Sequence, residues 1–215
     1  MAHCFSVDDV IYHNMYYFML ANVCYWFGRN ENSRQNSIVK TIVWSTFNFE
    51  CLAAAVVWHS CLYGHTETES PLWFFVKLLG CRLIADVWFY TAHRILHTAY
   101  LFRFHAIHHQ WHEPVSFAAF YAHPLENMLG NLFTILLAFH ILQPSHLLAN
   151  FWIVLVITQS VLSHSGNLKI GPLEIKATHD DHHHHYNCDY GNSLFMDRLF
   201  QTRYIDVCTK KKSIN

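Results

Sequence analysis

Apolar residues fall in long runs rather than in the short alternations of a soluble domain. Val10 to Phe27 is the first, short for a membrane span and rich in tyrosine and phenylalanine; it either crosses a thin membrane at a tilt or lies partly in the interface. The polar loop Gly28 to Ser37 separates it from Ile38 to Tyr63, which is long enough to span fully. After the acidic turn Gly64 to Pro71, Leu72 to Ala92 reads as a further span carrying Arg82 and Asp86, four residues apart on one face. Two charges there are costly in lipid, so they are expected to pair or to serve a site just beyond. Leu125 to Leu142 and His146 to Leu162 are joined only by Gln143-Pro144-Ser145, which makes them an antiparallel hairpin. A hairpin returns the chain to the side it left. The pattern predicts an all-α polytopic membrane protein with about four to five transmembrane helices and a histidine-rich helical cap.

Composition agrees: 53% of the 215 residues are hydrophobic and 13% charged, against about 25% charged in ordinary soluble domains. A net charge of −1 leaves no basic field for nucleic acid, so no nucleic-acid partner is expected. Met1 to Val10 has no basic n-region and carries Asp8 and Asp9, so no cleaved signal peptide is expected. The seven cysteines are odd in number, widely spaced and free of C-x-x-C, and indicate neither a disulfide framework nor a thiolate zinc site. Arg29, Arg34, Lys40, Arg94, Arg103 and the closing Lys210-Lys211-Lys212 fall on one side of the spans, and Glu67 and Glu69 on the other; the positive-inside rule makes the first side the cytosol.

Of nineteen histidines, fifteen lie between His93 and His185. They form three groups: His93 with His97; His105 with His108 and His109; His179 with His182 and His183. On a helix, residues three and four apart are neighbours, so each group is spaced for ligation. The hairpin brings the third group to the membrane face of the first two. Neutral imidazole ligates iron, zinc, copper and nickel. One zinc is satisfied by about four ligands, so eight histidines point to two metals. His123 and His164, at the ends of the hairpin, are placed to complete the shells. Asp86, Asp180 and Asp181 are carboxylates suited to holding imidazole N–H groups, Asp86 foremost because residues 86, 90, 93 and 97 share a helical stripe.

The order H-x-x-x-H, H-x-x-H-H, H-x-x-H-H on a polytopic chain resembles the fatty acid hydroxylase superfamily of membrane di-iron oxygenases. Asp86 to His97 (DVWFYTAHRILH), His105 to Glu126 (HAIHHQWHEPVSFAAFYAHPLE), Ser163 to Gly166 (SHSG) and His179 to Thr202 (HDDHHHHYNCDYGNSLFMDRLFQT) resemble its sterol branch: sterol hydroxylases, sterol C-4 methyl oxidases and sterol desaturases. Met196, Gln201, Asp189 and Thr178 depart from the family's usual residues, and none is a box histidine. The resemblance implies one membrane oxygenase domain over residues 1–215: N-terminal spans to 92, two boxes in 93–124, the hairpin in 125–162 and the third box in 163–205. It implies two iron ions, with zinc able to substitute, and a lipid substrate, most naturally a sterol. It implies endoplasmic reticulum localisation, and cytochrome b5 with its reductase as electron donor, since the chain has no Gly-rich dinucleotide fingerprint. Desaturation or fatty acid or sphingolipid hydroxylation would use the same centre. From other classes, a zinc hydrolase or a metal transporter also uses histidine clusters, although a transporter places its ligands at mid-membrane.

Overall fold

The computed structural model describes residues 4–28, 37–66, 68–170, 173–176 and 178–214. Arg29, Arg34 and Glu67 lie outside them, as do the side chains of the terminal lysines. Three long helices come first: α1 (Val7–Gly28), α2 (Ile38–Tyr63) and α3 (Pro71–Leu96). The short α4 (Phe102–His105) and two 3-10 turns, His108–Gln110 and Ser116–Phe120, lead to α5 (Pro124–Leu142) and α6 (His146–Ser163). An antiparallel ribbon of β1 (Asn167–Ile170) and β2 (Leu173–Lys176) precedes α7 (Thr178–His185), α8 (Leu194–Phe200) and α9 (Tyr204–Ile214). The helical class stands; the small ribbon is an addition to it.

Local chemistry sets the ends. Ser37, Ser70 and Ser145 cap α2, α3 and α6 by accepting from the Lys40, Trp73 and Leu148 backbone N–H groups, and Pro71 opens α3. Gln143 in the left-handed region closes α5, and Pro144 prevents its continuation. At this end of the bundle the Glu69 carboxylate accepts from Lys77 Nζ at 2.5 Å and from the Ser145 N–H at 3.1 Å, while Lys77 also donates to the Gln143 carbonyl. That knot fixes the hairpin turn against the α2–α3 connection.

Among the described residues three helices, α2, α5 and α6, are long and apolar enough to cross a membrane by length and composition. This is fewer than four to five, because α1 carries His13, Asn14, Asn22 and several tyrosines along its apolar stretch and α3 carries Lys77, Arg82, Asp86 and Arg94. Arg82 and Asp86 do not pair. Arg82 donates to Gln159 on α6 and to the Asn192 carbonyl, whereas Asp86 accepts from Ser193. Large apolar side chains such as Ile11, Met15, Val43, Trp58, Phe75 and Leu79 point outward, as a lipid-facing bundle requires. Cys4 and Cys61 form a disulfide joining the start of α1 to the end of α2. The wide spacing of cysteines in the sequence hid this pair, since helix length rather than chain distance brings the two ends together.

The segment Ser116–Phe120 is buried between α1, α2 and α6. Ser45 and Asn48 of α2 accordingly donate to the Phe117, Phe120 and Ala122 carbonyls, satisfying backbone that has no water to turn to. Gly28 ends α1 so close to the next chain that a Cβ there would stand 2.1 Å from the Ser165 carbonyl oxygen. That contact seats the turn carrying His164.

Candidate metal centre

The C-terminal end of α3, the α4 region, the end of α6 and the start of α7 converge at one end of the bundle, away from the hairpin turn. Nine imidazoles meet there in two sets: His93, His97, His105, His109 and His182 in one, His108, His164, His179 and His183 in the other. Within each set the ligating nitrogens all lie within 4.8 Å of one another. The sets follow helix geometry rather than the sequence boxes. Pairs four apart (93/97, 105/109, 179/183) stay together, while His108 and His182, turned by one residue, cross to the opposite set. Each H-x-x-H-H box therefore serves both sets.

The nitrogen spacings fit shared ions. His105 Nε2 is 3.0 Å from the Nε2 atoms of His93 and His109, His182 Nε2 is 3.1 Å from those of His97 and His109, and His108 Nε2 is 3.2 Å from those of His164 and His183. Nitrogens about 2.1 Å from a common ion stand about 3.0 Å apart at a right angle and about 3.4 Å apart at the tetrahedral angle.

Tautomers point the same way. The Nδ1–H groups of His93, His108, His164 and His182 donate to the carbonyls of Tyr190, Tyr121, Ser160 and Cys188 at 2.7, 3.0, 2.8 and 2.7 Å. Their Nε2 atoms therefore carry lone pairs. His108 and His164 bring their Nε2 atoms within 3.2 Å of each other, an arrangement that a cation held between them relieves. Burial, reinforced by neighbouring imidazoles, keeps the cluster neutral: His164 is pushed down to about 3 and His97 and His108 to about 4, and His105, His109, His179, His182 and His183 also fall well below the usual histidine value. Neutral imidazole is the ligating form.

The remaining sequence candidates fall outside. His123 caps α5, its Nδ1 accepting from the Leu125 N–H while its ring packs on Phe104 at 4.8 Å, so it joins neither set. Asp86 holds no imidazole. Its Oδ1 accepts from the Ser193 N–H and hydroxyl, so it steadies the loop whose Tyr190 carbonyl holds His93. Asp180 lies beside Gly166, its Oδ2 being 3.8 Å from the position of a Cβ there.

Two carboxylates were missed. Glu126 Oε1 is 2.8 Å from His105 Nδ1, with both side chains buried. A lone carboxylate at the head of an apolar span was its signal. Asp197, fully buried, accepts from the Tyr190 and Gly191 N–H groups and the Thr202 hydroxyl, and so sets the loop behind His93. Asp189 and Gln201 both hold a left-handed backbone, φ 50° and 53°, a conformation that asparagine and glycine adopt more readily.

The fatty acid hydroxylase family matches residues 78–202, which contain both sets. The chain belongs to that family. It is 33% identical over 149 residues to methylsterol monooxygenase 1 of Rattus norvegicus, covering 62% of this chain and 49% of the relative. It is 37% identical over 127 residues to C-4 methylsterol oxidase erg25 of Schizosaccharomyces pombe (54% and 40%), and 32% identical over 138 residues to fatty acid hydroxylase domain-containing protein 2 of Homo sapiens (63% and 41%). The chain thus spans about half or less of the length of these curated relatives. No solved structure matches it.

Proposed function

We propose that this chain is a membrane-embedded di-iron oxygenase that hydroxylates a lipid, most naturally a sterol. The observation that carries the reading is the double cage, with nine neutral imidazoles whose lone pairs converge in two adjacent sets at ligand spacing. The five-histidine set and the four-histidine set would each hold one iron. Two irons bound there would supply reductive activation of O2, one oxygen atom entering a C–H bond and the other leaving as water, with electrons from an external donor such as cytochrome b5 and its reductase.

The protein's part is orientation and exclusion of water. Tyr121, Ser160, Cys188 and Tyr190 carbonyls lock the imidazole planes, and the Glu126 carboxyl group stands 2.8 Å from His105 Nδ1. Phe89, Leu96, Ala119 and Ala122 wall the cavity beside the cage and offer a lipid an apolar approach. Names of the relatives favour a methylated sterol as substrate.

Orientation with the cage toward the cytosol, in the endoplasmic reticulum membrane, is supported by the Cys4–Cys61 disulfide. It lies at the α1 start and α2 end, opposite the cage, where an oxidising lumen would preserve it. Lipid mass spectrometry of cells expressing the chain, beside a His182→Ala/His183→Ala variant that removes one ligand from each set, tests the reading. A lipid that gains one oxygen with the native chain and not with the variant is the expected result; identical lipids in both would overturn it.

A further inference from the structure

A second cavity adjoins the one beside the cage. Asn131 lines both, the second running deeper between α1, α2, α5 and α6. Phe49, Leu52, Val56, Phe120, Ile135 and Ile157 are among the walls of this second cavity; among the described residues His13 and Asn131 are its only polar lining side chains.

The backbone presents Asn131 deliberately. Residues Asn127–Leu132 form a π-helical turn within α5, a feature that costs regular hydrogen bonding and gathers at functional sites. Asn127, held by its donation to the Asn48 carbonyl, accepts from Asn131 Nδ2 at 2.9 Å. This fixes the Asn131 amide while leaving its second N–H and its Oδ1 without a protein partner among the described residues. Gln159, a further amide lining the cage cavity, is engaged by Arg82 and by the Asn192 carbonyl. Asn131 is thus the amide placed where an apolar receptacle meets the oxidising site.

Resting on the sterol reading above, we infer that Asn131 recognises the single polar group of the lipid, with the apolar cavity receiving the remainder. The ligand class follows from the order of the parts: imidazole cage, amide, apolar slot. It is an amphipathic lipid whose hydroxyl or carbonyl lies a few bonds from the carbon to be oxidised. A 4-methylsterol has this form, because its ring hydroxyl is on the carbon next to the one bearing the methyl group. Asn131 is a specificity and positioning residue, distinct from the metal ligands.

The test is competition binding on the iron-loaded full chain in detergent micelles, without reductant, so that it is read separately from turnover. Tritiated 4,4-dimethylcholestanol is displaced by itself or by its deoxy counterpart, 4,4-dimethylcholestane. The native chain should prefer the alcohol by about tenfold, the value of one well-made hydrogen bond in a buried site. Asn131→Leu should abolish the preference with iron content unchanged. Ile135→Phe, which fills the slot, should weaken both ligands alike. No preference in the native chain overturns the inference whatever the variants do. So does a preference that survives Asn131→Leu and disappears in His13→Phe, which would place the polar group at the far end of the slot.

Discussion

Glu126→Gln tests the logic of the cage from behind it. The substitution keeps size and shape and exchanges the carboxyl group that faces His105 Nδ1 at 2.8 Å for an amide. His105 is central to the five-histidine set, its Nε2 lying 3.0 Å from two other ligating nitrogens. A glutamine there is a weaker partner for the imidazole and leaves it less basic. Loss of such a supporting group costs about 10- to 100-fold in metal affinity, or about 1.4–2.7 kcal/mol. The four-histidine set has its own carbonyl supports on His108 and His164 and does not contact Glu126 through them. Chelator competition should therefore show one class of iron leaving early and one unchanged, with iron falling from two per chain toward one at intermediate chelator. Equal weakening of both classes, or of neither, would refute the division of labour.

Acid should release metal from the native cage. The ligands have folded-state values below the ordinary 6.5, as low as about 3 for His164, so their contribution is present above 6.5 and is lost as pH falls from there toward about 4; retained iron measured after equilibration across that range should drop, and a flat profile would contradict neutral imidazole ligation. Burial raises Asp189 to about 6, which disfavours the folded state progressively as pH rises from the ordinary 3.8 to that value; Asp189→Asn should raise the Tm at pH 7.5 about twice as much as at pH 5, and also suits its left-handed backbone. Maleimide labelling of intact microsomes should find Cys4 and Cys61 unreactive until reduction, whereas labelling of both without reductant would remove the disulfide and the orientation drawn from it.

Helix-forming runs and histidine spacing were legible because both are short-range. Ile38–Tyr63 matches to the residue, and the Gln143-Pro144-Ser145 turn folds the hairpin as its chemistry demands. All eight box histidines and His164 reach the centre. What the sequence concealed depends on contacts between distant segments. Partition of His108 from His105 and His109 is fixed by the third box arriving from α7, and the Asp86 carboxylate is diverted by a loop more than a hundred residues away. His123 has ligand chemistry, but its backbone places it at a helix N-terminus, where its nitrogen caps. Glu126 went unrecognised because its partner, twenty-one residues earlier, meets it only when α4 packs against the start of α5.

The central claim is the double metal cage, and metal content bears on it most directly. Purified chain expressed with ample iron, analysed by mass-spectrometric metal-to-protein ratio together with X-ray absorption at the bound metal, should give two irons per chain with histidine nitrogens as the dominant ligands. A single metal per chain, or two metals without histidine nitrogen in their shells, would contradict it.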